Sequence, residues 1–478
     1  MDTPSQMYIN GTWMDAADGR TLDVMNPADE EVIGSVPVAT AGDLDAALDA
    51  AELGWKKWRE VDAWSRSRTL RDMAGWIRAR ADEIAVLLTE EQGKPLPEAR
   101  GEVNASAEIF DWFADEARRI YGRVVDGHSR DNRLLVVRQP VGPVAAFSPW
   151  NFPVYLAARK IAPAVAAGCS IIIKPAEEAP RSALMLARAC HEAAIPAGVV
   201  NVVTGVPAEI STHLIRSPII RKVSFTGSVP VGQQLLRLCA DGVKRVAMEL
   251  GGHSPVLVFE DADVETAAEM AARAKYRNNG QVCIAASRFY VHEPVMDRFL
   301  DRFVSVTRSL RIGNGKQDGI DVGPLANRRR LEATISLVED ALSKGASLAC
   351  GGKRPERFAR GFYFEPTVLT RVTTSMRIMK EEPFCPVAPI VGFADLDDAI
   401  EKANATEYGL AAYVFTQNTR TAFLASERLD VGMVGVNHLL LAAAETPFGG
   451  VKKSGFGREA GAEGIEDYTV SKTINIKL

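Results

Sequence analysis

Between residues 144 and 250, short β-rich runs alternate with longer stretches whose apolar residues recur at helical spacing. The runs fall at 144–147, 170–174, 199–203, 222–225 and 246–250, and the helical stretches at 154–167, 182–194, 208–215 and 231–240. This order predicts an α/β fold: an open parallel sheet with helices on both faces. Ligands bind such sheets at the carboxyl ends of the strands. Upstream, residues 1–40 read as strands and turns, at 8–13 (with Asn10-Gly11 as a hairpin signal), 22–25 and 31–37. From residue 43 to about 121 the pattern is helical, carried by Leu70, Met73, Ile77, Ile84, Leu87 and Leu88 and interrupted at Gly93-Lys94-Pro95-Leu96-Pro97. Trp55, Trp58 and Trp64 read as core and interface packing. Residues 259–445 repeat the α/β theme more loosely, with helices at 267–276 and 295–308 and strands at 289–291, 367–369 and 411–415. Two strands stand apart, at 133–138 and 467–476. Each needs a partner, and together they predict an oligomerisation flap.

A chain of 478 residues is too long for one ordinary core, so two or three domains are expected. Hydrophobic residues at 47% and charged residues at 24% describe a soluble globular protein. A net charge of −5 argues against nucleic-acid binding and supplies no polybasic membrane patch. The longest apolar runs, such as 163–167 and 439–444, are far shorter than a membrane span. Residues 1–5 lack a basic segment followed by an apolar one, so no signal peptide is expected and the location expected is cytoplasmic. The six cysteines, Cys169, Cys190, Cys239, Cys283, Cys350 and Cys385, are scattered without a C-x-x-C pair, a pattern of reduced thiols. The six histidines form no H-E-x-x-H and no i, i+4 pair, so no metal is expected.

Candidate chemistry gathers at the strand ends. Cys283 lies in Asn278-Asn279-Gly280-Gln281-Val282-Cys283-Ile284, loop-forming and amide-rich sequence that suits a thiolate or an oxyanion. A small buried hydrophobe is the competing reading for any single cysteine. After the first strand comes Ser148-Pro149-Trp150-Asn151-Phe152-Pro153, where the Asn151 amide sits between bulky rings as a candidate oxyanion donor. After the second, Lys174 and Glu177 are spaced to share ribose hydroxyls, or to form a solvated ion pair at the next helix. The Glu177 charge would repel a 2′-phosphate, which favours NAD over NADP. After the fourth, Gly227 allows a tight turn and, with Ser228 and Gly232, opens a helix whose N-terminus offers N–H groups to a diphosphate. After the fifth, Glu249 beside Leu250, Gly251 and Gly252 is a candidate general base.

Taken together with Glu381-Glu382-Pro383-Phe384-Cys385-Pro386 and the run from Pro447 to Glu459, these motifs resemble the NAD(P)-dependent aldehyde dehydrogenase superfamily over nearly the whole chain. The resemblance implies a Rossmann-type parallel-sheet cofactor domain (residues 1–121 and 144–251), a second α/β catalytic domain (252–445) and a small β oligomerisation flap (122–143 and 462–478). It implies Cys283 as nucleophile, Glu249 as the base for the hydrolytic water, and Asn151 with the Cys283 N–H as oxyanion hole. It implies a cofactor, NAD with NADP also admissible, contacted by Ser148, Pro149, Trp150, Lys174, Glu177, Gly227, Ser228, Gly232, Leu250, Glu382 and Phe384. Dimers or tetramers are usual in the family. The chain is most similar to the succinate-semialdehyde and 2-oxoglutarate-semialdehyde branch, whose carboxylate-binding arginines match Arg159 and Arg277. Each arginine considered separately reads as an inter-helix or surface ion pair. Three departures stand out. No serine precedes Pro447, where the branch offers one to the substrate carboxylate. Ala285 replaces a second cysteine, and Cys385 replaces a glycine. The apolar 439–444 segment admits a broad aliphatic or aromatic aldehyde dehydrogenase as the alternative. A silent cofactor-binding protein is the alternative from another class, and the presence of both Cys283 and Glu249 argues against it.

Overall fold

Alternate residues of the strand Val144–Phe147 enter two different cores, Val144 and Ala146 on one face of a sheet and Ala145 and Phe147 on the other. That two-residue period, with both faces buried, is what a central strand of a doubly wound sheet requires. In this computed structural model, which describes residues 5–478, the strand lies in the middle of an eight-stranded sheet. The leaderless start expected from the first residues falls, for residues 1–4, outside the described residues.

Five parallel strands form the centre of that sheet: Val144–Phe147, Ile171–Lys174, Val200–Val202, Lys222–Thr226 and Arg245–Glu249. Their spatial order is third, second, first, fourth, fifth. This is the doubly wound order, and it opens a crevice where the direction of winding reverses, between the first and fourth strands. The edges are antiparallel. The hairpin Met7–Ile9 and Thr12–Met14 closes one side, turning through Asn10 and Gly11 at positive φ. Gly455–Phe456, from near the end of the chain, closes the other side against Arg245–Glu249.

A second sheet of seven strands is built from the later part of the chain. Thr367–Thr370, Val387–Phe393, Ala286–His292, Ser254–Val258, Ala411–Phe415 and Met433–Val436 run parallel, with Ser347–Cys350 antiparallel at one edge. Its two faces are again packed into separate apolar clusters. The helical region at 43–121 resolves into four long helices, and the expected interruption is real: Ala81–Gln92 ends at Gly93, φ 93°, and Leu96–Glu116 follows. One long helix of the second half, Arg328–Ser343, has no counterpart in the sequence-based expectation. Its first turn is an arginine run, which hides the apolar positions Leu331, Leu337, Val338 and Ala341 behind it.

The two lone strands find each other. Thr469–Lys477 pairs antiparallel with Asn132–Pro140 along its whole length, and the short strand Arg123–Val125 adds a third. Among the described residues no helix is long and apolar enough to cross a membrane, and all six cysteines are free.

Candidate active site

The loop that carries Cys283 follows the helix Val264–Tyr276 and turns through three consecutive left-handed residues, Asn278 (φ 45°), Asn279 (φ 56°) and Gly280 (φ 68°). Asparagine tolerates this region because its short amide can bond locally, and glycine enters it freely. At Gly280 nothing larger fits: a Cβ there would lie 2.4 Å from the Cys385 carbonyl. Most of the side-chain amide atoms of this run hold it in place, Asn279 Oδ1 being buried without a partner. Asn279 Nδ2 donates to the carbonyls of Gly323 (2.7 Å) and Pro324 (2.9 Å), Gln281 Oε1 accepts from Ala326 N–H at 3.0 Å, and Gln92 Nε2 donates to Asn278 Oδ1 at 2.9 Å. The tight turn delivers a half-buried Cys283 to the gap between the two sheets.

Asn151 comes to the same place from the first strand. Its Nδ2 donates to the Gln281 carbonyl at 3.0 Å, leaving its second N–H free of any bond to the chain. Its backbone carbonyl accepts from Asn278 Nδ2 (3.0 Å) and from Lys94 Nζ (2.7 Å). Lys94 is fully buried and ion-paired with Glu102, which in turn accepts from the N–H groups of Val154 (3.0 Å) and Tyr155 (3.2 Å) at the start of the helix Pro153–Ala167. Asn151 is thus fixed by a buried ion pair and by the nucleophile loop; bulky neighbouring rings are not what holds it. Nothing in the local sequence of Lys94 or Glu102 signals this task, since both lie about fifty residues from the strand end they support.

Cys283 stands where two cavities meet. The larger, about 360 Å³, lies at the strand ends and is lined by Trp150, Asn151, Gly227, Glu249, Arg330 and Glu382 among others. The smaller, about 190 Å³, is lined by Tyr155, Arg159, Arg277, Leu439, Leu440 and Phe448 among others. Cys283 and Leu156 border both. The expected residues Pro149, Ser228, Leu250 and Phe384 also line the larger cavity. Ser148, Lys174, Glu177 and Gly232 do not. Lys174 and Glu177 pair with each other at 2.7 Å at the second strand end, and the Ser148 N–H donates to the Lys174 carbonyl at 3.2 Å. Gly232 permits close packing, since a Cβ there would meet Leu250 at 2.5 Å.

The two arginines of the smaller cavity differ. Arg159 is 1% exposed, with its guanidinium 4.6 Å from the Tyr155 ring centroid and 4.2 Å from that of Phe448. Its Nε and Nη2 are buried without a hydrogen-bond partner. A buried cation without a carboxylate is costly and is kept where an anion is to be received. Arg277 is exposed at the rim, 5.3 Å from the Phe152 ring centroid. The wall opposite includes residues 439–442 and is apolar, with no hydroxyl.

Burial raises both reacting groups above their ordinary values. The Cys283 thiol is pushed up to about 12, by burial first and then by Glu382, against the pull of Arg159. Glu249, with neither carboxyl oxygen hydrogen-bonded to the chain, is raised well above the usual carboxylate range by burial and by the neighbouring Glu459. Glu382, whose Oε1 accepts from the Gly252 N–H at 3.0 Å, is raised to about 7 by burial, with Arg330 opposing. Among the described residues no group of three or more His, Cys, Asp or Glu side chains could hold a metal ion.

A dinucleotide suits the larger cavity. The cavity occupies the crevice at the winding reversal. The helix Val229–Asp241 opens there without a side-chain cap on its N–H groups. A thiol and a carboxyl buried between such a crevice and a separate side pocket define a dinucleotide-dependent enzyme that works through a cysteine. The chain belongs to the aldehyde dehydrogenase family, enzymes that oxidise aldehydes with NAD or NADP, and the family pattern spans residues 13–474. It is 44% identical over 473 residues to the succinate-semialdehyde dehydrogenase [NADP(+)] GabD of Escherichia coli K12, covering 99% of this chain and 98% of the relative. It is 45% identical, with the same coverages, to a glutarate-semialdehyde dehydrogenase of Pseudomonas putida. A crystal structure of an E. coli NADP-dependent enzyme superposes with a TM-score of 0.98 at 44% identity, covering 100% of this chain and 98% of the other.

Proposed function

We propose that the enzyme oxidises a semialdehyde that carries a carboxylate, with succinate semialdehyde and its one-carbon-longer homologue as the leading substrates. The observation that carries this reading is Arg159: a buried guanidinium, two of whose nitrogens lack partners, in a pocket that Cys283 closes at one end. The carboxylate is received by Arg159 with Arg277 at the rim, and the aldehyde carbon then reaches Cys283. The names of the relatives in E. coli and P. putida support the same substrate class. The hydroxyl-free wall at 439–442 favours the longer or more apolar members of it. A panel of aldehydes with and without a carboxylate, run with NAD and with NADP, tests the reading.

In this mechanism Cys283 releases its proton to solvent and attacks the aldehyde carbon as the thiolate. The free N–H of Asn151 and the Cys283 N–H stabilise the oxyanion of the adduct. A nicotinamide dinucleotide held in the larger cavity, with Trp150, Glu382 and Phe384 at its nicotinamide end, would supply the hydride acceptor for oxidation of this adduct to a thioester. Glu249 then takes a proton from water, which attacks the thioester and frees the acid. Glu382 and Phe384 hold the nicotinamide end of the cofactor site. Lys174 and Glu177 hold the adenosine ribose, with Glu177 turning away a 2′-phosphate, so NAD is the preferred cofactor. Residues 1–121 and 144–251 form the cofactor-binding unit and 252–445 the catalytic unit. The three-stranded sheet, which exposes Val124 and Ile476, is the oligomerisation flap of a homodimer or homotetramer in the cytoplasm. Light scattering of the purified chain tests the oligomer.

A further inference from the structure

Three arginines open the helix Arg328–Ser343 beside the larger cavity, and they are spent differently. Arg328 pairs with Glu30 and Arg329 with Glu178, each at 2.6 Å. Arg330 makes no ion pair among the described residues and turns to residues 382–384. Its Nη2 donates to the Pro383 carbonyl at 3.0 Å. Its guanidinium lies 5.9 Å from the Phe384 ring centroid, and Phe384 meets Trp150 edge-on at 5.5 Å. Its Nε is buried and unpartnered.

We propose that Arg330 is a positioning residue for the nicotinamide end of the cofactor site: it clamps residues 382–384 to the helix and supplies the positive charge beside Glu382. The proposal rests on the reading of Glu382 as the carboxylate that receives the nicotinamide ribose. Geometry gives the clamp, one bond on each side of which lie Glu382 and Phe384. The charge has no other source. From the strand Tyr408–Gly409 the Tyr408 hydroxyl faces Glu382, and from the nucleophile loop the Cys283 thiol does. Both are pushed upward by burial and stay neutral near neutral pH. Glu381, next in the chain, is taken up by Arg377 at 2.8 Å. Arg330 is therefore the one cation acting on Glu382 among the described residues. A carboxylate accepts two ribose hydroxyls, whereas its protonated form gives up part of that capacity. The group sits near 7 with the Gly252 N–H and Arg330 both pulling it down, so removing the arginine raises it further and shifts it toward the protonated form at neutral pH.

The test is direct NADH binding by fluorescence titration across a pH series, on wild type, Arg330→Gln, Arg330→Lys and Glu382→Gln. Wild-type affinity is expected to rise with pH through an inflection near 7. Arg330→Gln is expected to move that inflection up by about one pH unit, which at neutral pH is roughly a fivefold weaker Kd, recovered at alkaline pH. Arg330→Lys, which keeps the charge, is expected to keep the inflection close to wild type. An Arg330→Gln inflection that coincides with wild type, while Glu382→Gln abolishes the pH dependence, overturns the role of Arg330. A wild-type inflection that survives in Glu382→Gln overturns the reading of Glu382 itself. A purely structural role for Arg330 would weaken binding at every pH without moving the inflection, and that result also overturns the proposal.

Discussion

The side-chain amide of Asn151 donates to the carbonyl of Gln281 at 3.0 Å, and Gln281 lies two residues before Cys283. One bond therefore ties the end of the first strand of one sheet to the loop that carries the thiol. Behind it, Lys94 Nζ holds the Asn151 carbonyl at 2.7 Å while ion-paired with buried Glu102. Removing one member of a buried pair leaves the other charge uncompensated, at a cost of about 3–5 kcal/mol. Lys94→Met is expected to lower unfolding stability by that amount in urea and to reduce kcat as Asn151 loses its anchor. Unchanged stability and kcat would show that the pair does not support the site.

Arg159 and Arg277 share a cavity but not an environment. Loss of a buried charged hydrogen bond costs about 2–5 kcal/mol, so Arg159→Gln is expected to cut kcat/KM for succinate semialdehyde by roughly 30- to 5,000-fold. Hexanal, which has no carboxylate, should change far less. Arg277→Ala, at the exposed rim, should show the same selectivity with a smaller loss. Equal losses on both aldehydes in steady-state assays would sink the carboxylate clamp.

Glu177 is held at 2.7 Å by Lys174 and stays half-exposed. A carboxylate there repels a 2′-phosphate, and its removal frees the lysine to attract one. Glu177→Ser is expected to raise kcat/KM with NADP about tenfold and lower it with NAD. Unaltered NADP kinetics would place the adenosine ribose elsewhere.

The thiolate is the reactive form of a cysteine, and the Cys283 thiol is held up at about 12 with Arg159 pulling it down. In the free enzyme, the rate of Cys283 alkylation by iodoacetamide should therefore climb about tenfold per pH unit from neutral into alkaline solution. Loss of the cation raises the thiol further, so Arg159→Gln should be slower at every pH. A rate that has already levelled off at neutral pH contradicts this account.

Much of this architecture is legible in the residues. Strands 31–37, 144–147 and 411–415 coincide with the structure and most others lie within a residue or two, whereas the strand expected at 289–291 begins three residues earlier, at Ala286. The pairing of 133–138 with 467–476 was foreseeable because an isolated strand must find a partner. The helix Arg328–Ser343 was hidden by its arginine-rich first turn, and with it the wall that Arg330 provides. The support of Asn151 by Lys94 and Glu102 was hidden by distance along the chain, since a Lys in a Gly/Pro segment reads as solvated. The contrast between a buried Arg159 and an exposed Arg277 depends on which face of each element meets the cavity, which local sequence does not disclose.

The central claim is that aldehyde oxidation passes through a thioester on Cys283 that Glu249 helps water to cleave. Intact-protein mass spectrometry of Glu249→Gln, mixed with NAD and succinate semialdehyde, tests it most directly. One acyl group on Cys283 per active site, formed with a burst of about one equivalent of NADH and then slow turnover, is the expected result. NADH formation at the wild-type rate by Cys283→Ala, or turnover of Glu249→Gln with no acyl group on Cys283, would contradict it.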